Sequence, residues 1–173
     1  DHIVDECKRL VDAGTVEITL LGQTVNHYHF DRSAVGRRGA GQWPQVGRAI
    51  GPNQGNSGPS PIVGSRVTTF ADLLYRIHEE VPALQRLRFV TSFPRDFGDD
   101  ILEVMRSCPR ICRYLHLPVQ SGSNRILQLM NRGYTVEQYG DLLERVREHL
   151  PDCEIATDII CGFPTETEGE HRV

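Results

Sequence analysis

Residues 114–124, YLHLPVQSGSN, pass from an apolar strand through a polar turn to the start of a helix. Leu115, Leu117 and Val119 alternate along the first half, so they can pack on one side of a strand. Residues 120–123 then place polar side chains and a glycine directly after the apolar residues. This order predicts a strand, a tight turn and a helix, which is the repeating unit of an α/β protein.

The turn at residues 120–123 has two possible roles. Its side chains and backbone can donate and accept hydrogen bonds, and ligands of α/β proteins bind at the carboxyl ends of the strands. It can also be an ordinary loop whose last residue, Ser123, caps a helix over residues 124–131. These residues alone favour neither role.

Strands and amphipathic helices alternate outward from this segment. Strands are predicted at residues 16–22, 87–92, 114–119 and 155–161, and helices at residues 1–13, 69–78, 99–107 and 136–150. Strands that alternate with helices form parallel sheets with right-handed crossovers, so the polar turns after them should gather at one end of the sheet. The pattern predicts an α/β fold, specifically an incomplete (β/α) barrel of parallel strands.

The length of the chain fits part of a barrel. A closed eight-stranded barrel typically needs about 250 residues, whereas this chain has 173. The pattern begins inside an amphipathic helix and ends in the helix after the last strand. We therefore expect residues 1–173 to form one partial core domain, truncated at both ends.

A Gly- and Pro-rich segment from Asp31 to about residue 66 interrupts the apolar periodicity. Such a composition predicts a flexible insertion. The segment is also locally basic, because it sets one acid against five arginines: Arg32, Arg37, Arg38, Arg48 and Arg66. It is either a solvated loop or a contact for nucleic acid.

Composition limits the remaining possibilities. The formal charge of −4 gives no general signal for nucleic-acid binding, and no stretch is apolar enough to cross a membrane. The five cysteines are odd in number and scattered, which favours a reducing compartment and predicts a cytoplasmic protein. Cys108 and Cys112 lack a third partner at cluster spacing, so we interpret both as structural and predict no metal ligand in this chain.

Two charged residues in the second half are candidates for ligand binding. Asp158 stands among the apolar residues of the last strand, where a buried carboxylate would need ribose hydroxyls or an arginine of the sheet as partner. Arg132 can clamp a carboxylate through two parallel hydrogen bonds or merely cover a helix end. The residues themselves leave both choices open.

Four motifs, in this order, resemble the radical S-adenosylmethionine core of tRNA methylthiotransferases. They are LLGQTVNHY at residues 20–28, LRFVTSFP at 87–94, YLHLPVQSGSN at 114–124 with MNR at 130–132, and DIICGFPTET at 158–167. The similarity covers nearly the whole chain apart from the insertion. The subgroup it resembles most modifies isopentenylated adenosine beside the anticodon (the MiaB type).

The resemblance implies an enzyme that inserts a methylthio group at C2 of the adenine ring. One S-adenosylmethionine would donate the methyl group, and another would be reduced to a 5′-deoxyadenosyl radical that abstracts hydrogen. The family uses two 4Fe-4S clusters. Their cysteine ligands should lie outside this chain, so residues 1–173 alone are expected to be inactive and to contain no catalytic residue.

The resemblance also assigns cofactor contacts, residue by residue. Gly22, Gln23 and Thr24 would meet the methionyl amino group, and Ser92 would end its strand beside the cofactor. Gln120 and Ser121 would approach the ribose and the methionyl part, Arg132 would bind the carboxylate, and Asp158 would take the ribose hydroxyls. Gly162 and Phe163 would lie against the adenine.

The implied partners are a tRNA anticodon stem-loop and an electron donor such as flavodoxin or ferredoxin, for a protein that we expect to be monomeric. Two other readings are open. One is the sister enzyme that acts on threonylcarbamoyl-adenosine or on a ribosomal protein. The other is a non-catalytic α/β binding module in which Asp158 and Arg132 form a structural ion pair.

Overall fold

The structure is a computed structural model, and it describes residues 2–22, 24–31, 67–90 and 92–172. The α-helices are α1 His2–Asp12, α2 Phe70–Glu80, α3 Asp99–Ser107, α4 Asn124–Leu129, α5 Val136–His149 and α6 Glu168–His171. The strands are β1 Glu17–Leu20, β2 His29–Asp31, β3 Val67–Thr69, β4 Arg86–Phe89, β5 Tyr114–His116 and β6 Glu154–Ala156. Short 3₁₀ helices occupy Val25–His27 and Pro94–Asp96.

Four of the strands run parallel. β1 pairs with β4, with Glu17 opposite Arg86, and β5 pairs with β6, with Tyr114 opposite Glu154. The two pairs are connected by a parallel bridge between Leu87 and Ile111 and by the Ser92 N–H, which donates to His116 O at 3.4 Å. The strands therefore follow one another in space in their order along the chain.

The helices cover one side of these strands. α1 packs on α2, α2 on α3, and α3 on α5. Leu87, Phe89, Leu115 and Leu117 are fully or almost fully buried beneath them, and burying each such side chain contributes about 1.5–3 kcal/mol. The alternate residues of these strands point to the opposite side, and they are polar, for example Glu17, Arg88 and His116.

That polar side carries an ion cluster at the amino-terminal end of the strands. Glu17 accepts hydrogen bonds from Arg86 and, at 3.1 Å, from Arg88 Nε. The hydrogen bond from Arg86 lowers the pKa of Glu17. The carboxyl ends of the same strands, where the predicted polar turns lie, are not part of this ion cluster.

Helix boundaries follow local capping chemistry. Gly14, with φ of +97°, ends α1 in a Schellman motif, in which the Gly14 N–H donates to Val11 O and the Thr15 N–H to Leu10 O. Ser123 caps α4, and Thr135 forms a capping box with Gln138 at the start of α5. These starts confirm the predicted ones, although α4 ends at Leu129, two residues before the predicted end.

An antiparallel pair flanks the Gly- and Pro-rich segment. β2 and β3 pair with His29 opposite Thr69 and Asp31 opposite Val67. Neither strand was predicted from the sequence, because each is only three residues long. Residues 32–66, where we predicted a flexible insertion, lie outside the described residues.

The predicted parallel α/β organisation is confirmed, but a barrel is not. The hydrogen bonding forms separate two-stranded ladders joined by single bridges rather than one continuous sheet. The last strand was predicted too long, since β6 stops at Ala156 and only Ile159 pairs beyond it. None of the helices in the described part of the chain is long and apolar enough to cross a membrane.

Candidate functional site at the carboxyl ends of the strands

The turn after β5 is joined to the turn after β6 by backbone hydrogen bonds. The Gln120 N–H donates to Asp158 O at 2.9 Å, and the Ile160 N–H donates to Gln120 O at 2.9 Å. Gln120 adopts a φ of +73°, a left-handed conformation that costs a non-glycine residue about 1–3 kcal/mol and is often found at ligand sites. The structure thus brings together Gln120 and Asp158, as predicted.

Asp158 is not buried, which corrects the prediction from its apolar neighbours. Its side chain is 64% exposed, and Ile159 beside it is 62% exposed. β6 ends at Ala156, and residues 157–162 beyond it are all exposed in the described part of the chain. Asp158 Oδ2 accepts a hydrogen bond from His116 Nε2 at 3.0 Å, so its partner in the sheet is a histidine and not the arginine we considered.

The backbone of the turn after β5 is fixed by hydroxyl groups. The Tyr139 hydroxyl donates to Leu117 O at 2.9 Å, and the Tyr134 hydroxyl reaches Val119 O at 3.0 Å. Ser121 is buried, and its Oγ accepts from the Ser123 N–H at 3.1 Å. The Ser121 hydroxyl therefore shapes the turn, although its hydrogen remains available to a ligand.

Ser92 lies directly beyond β4 and is only 3% exposed. Its Oγ is buried without a hydrogen-bond partner among the described residues. A buried hydroxyl left unpaired is unfavourable by about 1–3 kcal/mol, so such a group is a good candidate for a ligand contact.

The turn after β1 is fastened to the turn after β4. Asn26 Nδ2 donates to Phe93 O at 3.0 Å, and the Phe93 N–H donates to Asn26 Oδ1 at 2.8 Å. Gly22 and Thr24 precede this contact, and a Cβ at Gly22 would lie 3.2 Å from Val25 Cγ1. Gln23, predicted with them, lies outside the described residues.

Arg132 follows the end of α4. Its N–H donates to Leu127 O at 3.0 Å and closes a Schellman motif in which Asn131 has a φ of +56°. Its side-chain Nε is buried and has no partner in the described part of the chain. The backbone N–H of Arg132 therefore completes the helix end, while its side-chain Nε can donate a hydrogen bond to another group.

Gly162 and Phe163 belong to a turn that Glu166 stabilises. Gly162 has a φ of +73°, which glycine adopts without strain. Its N–H donates to Glu166 Oε2 at 2.7 Å, and the Glu166 N–H donates to Phe163 O at 2.9 Å. The Glu166 side chain is only 6% exposed, so this carboxylate is an internal support for the turn.

The predicted residues differ in exposure, since Asp158 and Gly162 are exposed whereas Ser92 and Ser121 are buried. A pocket of about 420 Å³ lies beside α5, lined by Pro94, Arg95, Tyr134, Gln138, Tyr139, Asp141, Leu142 and Arg145. A shallower depression of about 400 Å³ contains Gly162 and Cys161. Of the predicted cofactor residues, only Gly162 borders either one.

The described residues contain no cluster of three or more side chains that could hold a metal ion. Cys108 is buried, and burial raises the pKa of its thiol. A raised pKa disfavours the thiolate that a metal requires. Cys112 is only partly exposed. The structural role of both cysteines stays a prediction.

Sequence analysis missed the residues that connect the turns: Asn26, His116, Arg125 and Glu170. One of them had a readable signal, since residues 167–170, TEGE, match the S/T-x-x-E capping pattern that places Glu170 beside Thr167. The others act through contacts between segments that are distant in sequence, and a single sequence does not show such contacts.

Comparison with known proteins gives matches over the whole chain. The model of the radical SAM superfamily matches residues 1–173. The tRNA-2-methylthio-N(6)-dimethylallyladenosine synthase of Acetivibrio thermocellus is 40% identical over 97% of this chain and 28% of its own length. Synthases of the same name from Bacteroides fragilis and Clostridium botulinum are 41% and 44% identical over 99% and 97% of this chain.

The chain spans less than a third of these relatives, since it covers 31% of the Bacteroides fragilis protein and 30% of the Clostridium botulinum protein. The names of the relatives agree with the resemblance that the four motifs indicated. Together with the family model that matches residues 1–173, they confirm that resemblance, and the chain belongs to the radical SAM superfamily.

Proposed function

We propose that this chain is the S-adenosylmethionine-binding part of a tRNA methylthiotransferase that acts at C2 of isopentenylated adenosine beside the anticodon. The observation that carries the proposal is the joining of the turns after β1, β4, β5 and β6 at one end of the strands. The names of the relatives, which specify dimethylallyladenosine, favour this activity over the sister enzyme acting on threonylcarbamoyl-adenosine or a ribosomal protein.

The groups present fit S-adenosylmethionine, which has an ammonium, a carboxylate, a ribose diol and an adenine ring. The buried Arg132 Nε and Ser92 Oγ lack partners among the described residues, and a cofactor carboxylate or hydroxyl would satisfy them. The exposed Asp158 carboxylate can accept hydrogen bonds from a diol.

The roles within the site follow from these chemistries. Backbone carbonyls of the Gly22, Gln23 and Thr24 turn would accept from the ammonium, and Arg132 would bind the carboxylate. Gln120 and Ser121 would contact the methionyl part and the ribose, and Asp158 would hold the ribose hydroxyls. Gly162 and Phe163 would form an apolar surface for the adenine.

The cofactor, when bound, supplies both a carbon radical and a methyl group. The residues of this chain contribute orientation, because each recognises a different part of the cofactor. His116 fixes the direction of the Asp158 carboxylate, and the left-handed backbone of Gln120 presents this turn to the cofactor.

The larger context is part of the same proposal. The parallel strands would complete a partial barrel over residues 1–173, and two 4Fe-4S clusters would be held by residues outside this chain. The enzyme would work as a cytoplasmic monomer on an anticodon stem-loop, with a flavodoxin or ferredoxin as electron donor. The arginine-rich insertion at about residues 31–66 would help to bind the tRNA.

The test is the variant Asp158→Asn in an enzyme of the relatives' length that contains this chain. An amide cannot accept from the diol at both of its terminal atoms, and hydrogen bonds to charged groups are worth about 1.5–3 kcal/mol, so S-adenosylmethionine affinity should fall about 10- to 150-fold. Affinity for the anticodon stem-loop should not change. Equilibrium binding of both ligands measures this.

Asp152→Asn is the matched control, since Asp152 is an exposed acid in the turn before β6, at the opposite end of the same strand. It should leave both affinities unchanged. Wild-type affinity for S-adenosylmethionine in Asp158→Asn would refute the assigned role of Asp158.

A further inference from the structure

Arg125 and Glu170 form a two-pronged ion pair between α4 and α6. Arg125 Nε donates to Glu170 Oε1 at 2.7 Å, and Arg125 Nη2 donates to Glu170 Oε2 at 2.7 Å. Parallel bonds of this kind fix the relative orientation of the two groups as well as their distance. The pair therefore sets the position of one helix start relative to the other.

Each member of the pair also holds a turn of the candidate site. Arg125 Nη2 donates to Thr165 O at 2.7 Å, and Thr165 is a non-glycine residue with a φ of +71°. Glu170 Oε1 accepts from Ser123 Oγ at 3.1 Å, and its other oxygen accepts from Thr167 Oγ1 at 2.7 Å. These residues connect the turn after β5 to the turn after β6.

The negative charge of Glu170 strengthens the hydrogen bonds of this network. The hydrogen bonds from Arg125, and then those from Thr167, hold the pKa of Glu170 well below its usual range. Glu170 is therefore ionised at neutral pH and can accept from all of its donors together. An ordinary exposed ion pair makes only one such contact and contributes little.

The segment under restraint is the one that carries the proposed adenine surface. Glu166, which belongs to the same segment, stabilises the turn at Gly162 and Phe163. Arg125 of α4 and Glu170 of α6 hold residues 165–167. Left-handed conformations such as that of Thr165 persist only where the surroundings over-determine them. Without this restraint from α4 and α6, the segment would lose its fixed relation to Gln120 and Ser121.

We propose that Ser123, Arg125, Thr165 and Glu170 form a positioning cluster that holds residues 162–167 at the right distance from the turn after β5 for cofactor binding. The inference rests on the proposed function, and none of the four residues needs to touch the cofactor. They are positioning residues, acting through Gly162 and Phe163.

The experiment uses Arg125→Gln and Glu170→Gln in an enzyme of the relatives' length that contains this chain. Each should weaken S-adenosylmethionine binding about tenfold, since small misplacements of a binding group can reduce function by up to about 10²-fold. The double variant should lose less affinity than the sum of the two single losses, because both single variants remove the shared Arg125–Glu170 contact. Affinity for the anticodon stem-loop should stay at the wild-type value.

A matched control exists on the same helix. Arg172 Nη2 donates to Glu168 Oε1 at 2.7 Å in a highly exposed pair, which makes no contact with another turn among the described residues. Arg172→Gln and Glu168→Gln should leave cofactor affinity unchanged. Hydrogen exchange of the amides at residues 162–167 should accelerate in the cluster variants and not in these controls.

A conservative variant tests whether the Gln variants lose cofactor binding only because they fail to fold. Arg125→Lys keeps the charge but not the two parallel bonds, so it should weaken cofactor binding without lowering the thermal midpoint. If the Gln variants lose tRNA binding and thermal stability together with cofactor binding, and Arg125→Lys binds cofactor normally, the positioning role is overturned.

The outcomes separate this inference from the proposed function. An unaltered enzyme that does not bind S-adenosylmethionine would refute the proposed function itself. An enzyme that binds it and responds to Asp158→Asn, but is indifferent to the cluster variants, would overturn the positioning cluster alone.

Discussion

The five cysteines differ in the chemistry that their surroundings permit. Cys7, Cys108 and Cys153 are buried, Cys112 is partly exposed, and Cys161 is exposed beside Gly162. Burial raises the pKa of Cys153 to about 11 and also raises the pKa values of Cys7 and Cys108. Only a thiolate reacts quickly with alkylating agents.

We therefore expect iodoacetamide at pH 8 to modify Cys161 first and Cys112 second, with the three buried cysteines protected. At that pH about one Cys153 side chain in a thousand is ionised, even before access is considered. Peptide mass spectrometry over a time course measures the order. Adding a denaturant should make all five react alike, and early modification of Cys153 in the folded protein would contradict the assigned burial.

Single residues also show how much of the candidate site could be predicted from the sequence. Asp158 was predicted inside the last strand, whereas β6 ends at Ala156 and Asp158 lies beyond it. Its place beside Gln120 followed from the parallel arrangement. Its exposure was not predictable, because that depends on which segments cover β6. The partner His116 was missed since a histidine between Leu115 and Leu117 also suits an ordinary strand.

At the scale of elements, the helices were predicted more accurately than the strands. Caps are local chemistry, so Thr135 and Ser123 mark helix starts within a few residues of sequence. Strand length depends on hydrogen bonds to a distant neighbour, and β5 and β6 stop after three residues where the apolar pattern continues. The short strands β2 and β3 carry too few residues to show any period.

Two glycines in different backbone conformations provide a test of these elements. Gly14 ends α1 with a φ of +97°, whereas Gly140 lies within α5, and a Cβ at either would meet no atom within 4 Å. Gly14→Ala should destabilise the protein by about 1–2 kcal/mol because of backbone strain. Gly140→Ala should stabilise it by about 0.5–1 kcal/mol because alanine favours the helix.

Urea unfolding followed by circular dichroism gives both changes as shifts of the midpoint at constant slope. Since neither site has a steric obstacle, the opposite signs isolate the backbone effect. A destabilised Gly140→Ala would mean that α5 is distorted at this position, and a neutral Gly14→Ala would mean that α1 does not end in the Schellman motif.

At the scale of the molecule, the order of the strands places the polar turns next to one another. β1, β4, β5 and β6 are neighbours in their chain order, so consecutive turns meet and one side chain can join each pair. Asn26 joins the first two turns, and His116 and Arg125 join the last two. The alternation of strands and helices predicted this arrangement, but the joining contacts depend on three-dimensional packing.

The pairing of β2 with β3 makes the last prediction possible. Because Asp31 lies opposite Val67, residues 32–66 can be replaced by the two-residue turn Asn-Gly, which suits an antiparallel connection. This variant removes all five arginines of the segment, namely Arg32, Arg37, Arg38, Arg48 and Arg66. In an enzyme of the relatives' length, it should weaken tRNA binding and leave S-adenosylmethionine binding unchanged.

The reason is that arginines on an insertion bind mainly to phosphates, and the contribution of these ion pairs to affinity falls as the salt concentration rises. The slope of log affinity against log salt concentration should therefore decrease by about 0.7–0.9 for each phosphate that the variant no longer neutralises. Titrations of the anticodon stem-loop at several salt concentrations measure this slope. A second variant with the five arginines changed to Gln keeps the length of the segment and should show the same decrease. If the shortened variant has a lower affinity for the stem-loop and the Gln variant does not, the segment acts through its shape and not its charge. An unchanged slope in both variants would show that the segment does not bind the tRNA.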